Sequence, residues 1–165
     1  MSEDVHGSMS NGVVPSFQVS GVALHEYELL LRRAEEEIDK SEYSLSVIMS
    51  HAAIEIFTER AFKLLFSFKG IEYLYEAIIK PSWKYNNLSD EKALRLFSAL
   101  SGETFDKESP LWKELVNHFK RRNKIAHKGV SSTKEEAELS VKVAKRYVEY
   151  INDILEKTKP PNWGT

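Results

Sequence analysis

The sequence predicts an all-α protein, a compact helical bundle of four main helices with one or two short helices. Apolar residues recur at alternating steps of three and four along most of the chain, which keeps them on one face of a helix. Proline, glycine and serine interrupt these segments where helices usually begin and end. The sequence has no strand-like alternation, internal repeat or glycine-rich phosphate loop.

The first two main helices are predicted over about residues 22–39 and 42–68. The apolar surface of the second is so broad that we expect a central helix with several neighbours.

The other two main helices have clear end signals. Ser109-Pro110 is an N-cap followed by proline in the first turn, and Gly129 supplies the left-handed residue that often ends a helix, so a helix is predicted over about residues 110–128. The last helix is predicted over about residues 133–157.

Two short helices are predicted between the second and third main helices. One covers about residues 71–79 and is expected to stop at Lys80, because Pro81 disfavours helical geometry in the residue before it. The other covers about residues 90–100, with Ser89 as its cap.

The chain length suits one domain, which we predict over residues 21–157. Residues 1–20 lack helical periodicity and are predicted to form a flexible tail, as are residues 158–165.

The composition limits the kinds of site that the chain can build. Without cysteine, disulfides, thiolate nucleophiles and sulfur-ligated zinc are excluded. No apolar run is long enough to span a bilayer and the first residues do not resemble a signal peptide, so a cytoplasmic protein is expected. The formal net charge of −2 means that any surface for nucleic acid must be local.

The densest positive region is KRRNKIAHKG, residues 120–129, in which the cations Lys120, Arg121, Arg122, Lys124 and Lys128 surround His127. Its structural interpretation is that cations complement the partial negative charge at a helix C-terminus. A functional interpretation follows from position, because the apolar stripe Trp112, Leu115, Phe119 continues to Arg122. A partly buried guanidinium needs an anionic partner.

These residues resemble the HEPN superfamily, whose hallmark is an R-x(4–6)-H motif, usually with a polar residue after the arginine, near the end of a late helix. Arg122-Asn123 and His127 supply this pattern with a four-residue spacer, followed by Gly129. The resemblance covers roughly residues 22–157.

The resemblance implies a homodimer in which two facing motifs form a metal-independent endoribonuclease site of the toxin or defence kind, without a cofactor. Arg122, Asn123 and His127 would be catalytic, and Lys120, Arg121, Lys124 and Lys128 would bind RNA. The 2′-OH would attack the adjacent phosphorus, giving a 2′,3′-cyclic phosphate and a 5′-OH. An antitoxin protein is a possible partner. The alternatives are a non-catalytic HEPN-like module that binds RNA or protein, and an assembly protein in which the segment only caps a helix.

Two further residues, both on the central helix, are candidates for the same site. HEPN-like proteins often carry an acidic residue in the central helix, which makes Glu55 the predicted partner of Arg122; alternatively, Glu55 belongs to an exposed ion-pair ladder. His51 lies four residues before Glu55, where it would join the same site; its alternative is a structural role. His118 lies nine residues before His127, close to the same face of the helix. Neither His118 nor His127 has the carboxylate companions that a metal site needs.

Overall fold

The computed structural model describes residues 25–82 and 87–163, and every regular element in these ranges is helical. The prediction of an all-α fold is therefore confirmed. The α-helices are α1 (Glu26–Asp39), α2 (Tyr43–Phe68), α3 (Glu72–Leu74), α4 (Glu91–Ser101), α5 (Pro110–Lys128) and α6 (Lys134–Thr158). The predicted tail over residues 1–20 lies outside the described residues.

The ends of α5 and α6 are set by local hydrogen bonds. The hydroxyl of Ser109 accepts a hydrogen bond from the backbone N–H of Trp112, and Gly129 adopts φ 62°, where side chains are strained. The hydroxyl of Thr133 accepts a hydrogen bond from the backbone N–H of Glu136, and the carboxylate of Glu136 accepts one from the backbone N–H of Thr133, which completes a capping box. Both helices consequently begin and end close to their predicted positions.

The cap predicted for α4 is wrong by one residue. Asp90, and not Ser89, is the N-cap, because its carboxylate accepts hydrogen bonds from the N–H groups of Lys92 and Ala93. The N–H of Ser89 instead donates to the side-chain oxygen of Asn87, 3.0 Å away.

The short helix predicted over residues 71–79 is found, but the backbone does not leave helical geometry at Lys80 as predicted. After α3 the chain forms a π-helical turn, Tyr75–Ile79, and then a 3₁₀ turn, Lys80–Ser82, that includes Pro81. Lys80 has helical dihedrals, φ −57° and ψ −45°, and its N–H bonds to the carbonyl of Tyr75. Proline is tolerated here because its fixed φ suits the first residues of a short helical turn, where its missing N–H needs no partner.

The second helix is central, as predicted. It packs most extensively against α1 and α6, and also contacts α4 and α5. Its buried face includes Ile54, Phe57, Ala61 and Leu65, each at most 1% exposed. A buried hydrogen bond of 2.7 Å joins the hydroxyls of Thr58 and Tyr147 across α2 and α6.

Three helix ends meet at one end of the bundle. The loop between α5 and α6 is held against the start of α2, because the N–H of Ser132 donates to the hydroxyl of Ser44 at 3.0 Å. The C-terminal turns of α5 therefore lie beside the first turns of α2 and α6.

The last residue of α6 and the chain after it contact the bundle. The ring of Trp163 lies edge-on to Phe68 with centroids 4.9 Å apart, and the hydroxyl of Thr158, the last residue of α6, donates to the carbonyl of Ser101. Thus part of the segment predicted as a C-terminal tail is packed.

Candidate functional site

The motif residues Arg122, Asn123 and His127 occupy the last two turns of α5. Asn123 and His127 are exposed, whereas Arg122 is half-buried. The guanidinium of Arg122 donates to the side-chain oxygen of Asn123 at 3.3 Å through Nη1. Its Nε is buried and has no hydrogen-bond partner among the described residues. The motif therefore combines an anchored cation with an imidazole that a ligand can reach.

Arg121 faces α6. Its Nη1 donates to the hydroxyl of Ser140 at 3.0 Å, and its Nε lies 3.6 Å from a carboxylate oxygen of Glu136. The backbone N–H of Thr133, the hydroxyl of Ser132 and the charge of Arg121 together hold the pKa of Glu136 below its usual value. Arg121 thus fastens α5 to the start of α6, and its predicted role in RNA binding stays a prediction.

The other predicted RNA-binding cations, Lys120, Lys124 and Lys128, are all exposed. Because they recur every four residues, they form one stripe along α5, which we call the lysine stripe. A depression of about 230 Å³ lies beside this stripe, and Ser131 and Ser132 from the α5–α6 loop also line it. Cations, hydroxyls and free volume are therefore adjacent.

Glu55 lies on α2, where its carboxylate is 3.2 Å from Nε2 of the buried His51. Glu59 and Lys63, which with Glu55 would form the ion-pair ladder, contact a different part of the molecule. The hydroxyl of Tyr75 donates to Glu59, and Lys63 pairs with Glu76 across 3.7 Å. The pairing of Glu55 with Arg122 stays a prediction.

His118 connects α2 to the arginines of α5. Its side chain is fully buried, and its ring centroid lies 5.5 Å from that of His51. Neither ring nitrogen of His118 has a hydrogen-bond partner among the described residues. Burial, followed by the charges of His51, Arg121 and Arg122, lowers the pKa of His118 to about 3. A neutral, buried imidazole therefore lies close to the arginines of the motif segment.

The sequence interpretation gave His118 no part in the motif, although its spacing offered a signal. Leu115, His118 and Arg122 are separated by three and four residues, so they share the buried face of α5. A histidine in such a stripe therefore lies one helical turn from the arginine that follows it. Its contact with His51 depends on how α2 and α5 pack, which the spacing does not specify.

The buried state of His118 predicts that acid destabilises the protein. Between the ordinary pKa of 6.5 and the folded value of about 3, the unfolded chain binds a proton that the folded chain does not. The stability that comes from the low pKa of His118 is therefore fully present above pH 6.5 and is lost as the pH falls towards 3. From pH 7 to pH 5 this single group should lower the free energy of unfolding by about 2 kcal/mol.

Denaturant unfolding at a series of pH values measures this effect. The His118→Leu variant should lose that part of the pH dependence, whereas Val116→Leu, a control on the same helix, should keep it. If the free energy of unfolding falls equally with pH in the parent and in His118→Leu, this histidine is not the group responsible.

The described residues contain no group of three or more histidine, aspartate or glutamate side chains placed to hold a metal ion. None of the described helices is long and apolar enough to cross a membrane. Comparison of the chain with protein-family models, curated proteins and solved structures found no match.

Proposed function

We propose that the protein is a metal-independent endoribonuclease of the HEPN type. The observation that carries the proposal is the exposed imidazole of His127 on the same helix end as the anchored guanidinium of Arg122. An imidazole exchanges protons near neutral pH, and a guanidinium stabilises charge on phosphoryl oxygens. These two groups can supply the proton transfer and the charge stabilisation that cleavage by the RNA's own 2′-OH needs.

In the proposed reaction, the 2′ oxygen forms a bond to the adjacent phosphorus while the bond from phosphorus to the 5′ oxygen breaks. His127 accepts the 2′-OH proton, and the imidazolium so formed donates a proton to the departing 5′ oxygen, directly or through a water molecule. Arg122 stabilises the negative charge that develops on the phosphoryl oxygens. Asn123 accepts a hydrogen bond from Arg122 and so orients its guanidinium. The products are a 2′,3′-cyclic phosphate and a 5′-OH.

The RNA strand is proposed to follow the lysine stripe. Lysine cations bind phosphates without reading sequence, so this surface would position the backbone and leave the choice of cleavage site to other contacts. The slightly acidic total charge makes this local stripe the main electrostatic attraction for RNA.

The active form is proposed to be a homodimer with the site at its interface. Arg122 and His127 project about 140° apart around α5. The two side chains of one chain therefore point in different directions, and a second copy would complete the site. The outer face of the first half of α2 carries Leu45, which is 41% exposed, and the half-buried Ile48, Met49 and Ala52. This apolar face, hereafter the α2 face, borders the side of α2 where His51 packs against α5.

A cytoplasmic toxin or defence role, with an antitoxin protein as a partner, is the biological setting that we propose for this activity. The second candidate is a non-catalytic HEPN-like module that binds RNA or a partner protein. The exposure of the lysine stripe favours that candidate, because these cations can bind an anionic partner without the imidazole.

Cleavage of a single-stranded RNA in the presence of EDTA tests the proposal. The parent is expected to generate 2′,3′-cyclic phosphate ends at an unchanged rate when EDTA is added, and the Arg122→Ala, His127→Ala double variant should not cleave. A parent that binds RNA but never cleaves it would support the binding module instead. Inhibition by EDTA would contradict a metal-independent mechanism.

A further inference from the structure

A second cavity lies beside the first turns of α5, at the opposite end of this helix from the motif. It has a volume of about 390 Å³, and four aromatic residues line it. These are Phe105, Trp112, Tyr147 and Tyr150. The ring centroid of Phe105 lies 5.9 Å from that of Trp112 and 5.5 Å from that of Tyr150. We call this cavity the aromatic pocket; its size is within the range of small-molecule sites.

Two charged side chains line the aromatic pocket, the cation Arg146 and the anion Asp106. Arg146 is a lining cation, but its Nη1 donates to the carboxylate of Glu114, which compensates its charge. Asp106 also lines the pocket, and no ion pair to Asp106 or Glu103 exists among the described residues. Burial, followed by the charges of Glu103 and Asp106, raises the pKa of the lining residue Tyr150.

We propose that the aromatic pocket binds a small organic cation carrying a quaternary or N-methylated ammonium group. Such a group is apolar enough to leave water and is attracted to the negative faces of aromatic rings. Asp106 and Glu103 add attraction for positive charge, and the guanidinium of Arg146 already has Glu114 as its anionic partner. The proposal is independent of the nuclease assignment, because none of these residues belongs to the motif.

Three probes of similar shape separate charge from hydrophobicity. They are benzyltrimethylammonium, its uncharged carbon isostere neopentylbenzene, and the anion phenylmethanesulfonate. Titrations of the full chain, followed by backbone amide chemical shifts, should show the cation binding at least about tenfold more tightly than either of the others. The shifts should be confined to residues 105–115 and 146–150. Equal affinity for the isostere, or tighter binding of the anion, would overturn the proposal.

Variants locate the binding site. Trp112→Leu keeps an apolar lining but removes an aromatic face, and should weaken binding of the cation by about tenfold. The Glu103→Gln, Asp106→Asn double variant should bind the cation several-fold more weakly and should bind the isostere as the parent does. Glu36→Gln, which removes one carboxylate from α1, is the matched control and should bind like the parent.

Tyr150→Leu provides a second test of the aromatic lining, because Tyr150 is 36% exposed and contributes less to the core. Thermal melts identify any variant that fails to fold. The proposal is rejected if folded Trp112→Leu or folded Tyr150→Leu binds benzyltrimethylammonium as tightly as the parent does.

Discussion

Replacement of His127 by alanine is expected to lower the rate of RNA cleavage by roughly a thousandfold and to leave RNA affinity within about twofold. The imidazole is exposed at the end of α5, so its removal leaves no cavity in the core. The lysine stripe remains in place to hold the RNA backbone. Loss of rate without loss of binding is the result that distinguishes a proton-transfer group from a phosphate-binding group.

The measurement pairs single-turnover cleavage in EDTA with RNA affinity from fluorescence anisotropy and a circular-dichroism melt. His25→Ala removes an exposed imidazole from the start of α1 and should cleave like the parent. Arg122→Ala should weaken both binding and cleavage, because this guanidinium is proposed to contact the phosphate. If His127→Ala cleaves at the parental rate, the assignment of the reaction to the motif is wrong.

The bounds of α5 were predictable because their causes are local. Ser109 bonds to a backbone N–H three residues ahead, Pro110 follows in the first turn, and Gly129 takes the left-handed conformation directly after the helix. Each signal acts within one turn of the residue that carries it. The same locality explains why the motif's position on the last turns of a helix followed from the sequence.

The cap of α4 shows how neighbouring signals of similar strength compete. Ser89 and Asp90 are both good N-cap residues. Asn87 accepts hydrogen bonds from both the N–H and the hydroxyl of Ser89, which leaves Asp90 to cap the helix. Propensity alone does not rank two adjacent candidates when a third residue decides between them.

Partners in the site depend on packing, which residue spacing does not determine. Arg121 and Arg122 are adjacent and chemically identical, yet Arg121 bonds to Ser140 on α6 whereas Arg122 bonds to Asn123. Successive residues point about 100° apart on a helix, so a neighbouring helix determines which of them it engages. The contact between His51 and His118 likewise arises only from the approach of α2 to α5.

The Ala52→Glu substitution is expected to convert a dimer into monomers and to lower cleavage by at least about a hundredfold. Ala52 lies within the α2 face, where half-buried apolar side chains are proposed to contact a second copy. A glutamate buried there without a partner would cost several kcal/mol, enough to dissociate a micromolar complex. In the monomer the residue is partly exposed and glutamate suits a helix, so folding should be retained.

Light scattering at micromolar concentration should give the parent a mass near that of two 19.0 kDa chains and the variant a mass near that of one. Ser67→Glu, which adds the same charge to the last turns of α2, is the control and should remain dimeric and active. A monomeric parent that cleaves RNA would rule out the composite site. A dimeric Ala52→Glu variant would instead place the interface on a different face, because an unpaired carboxylate cannot remain buried between two apolar surfaces without that cost.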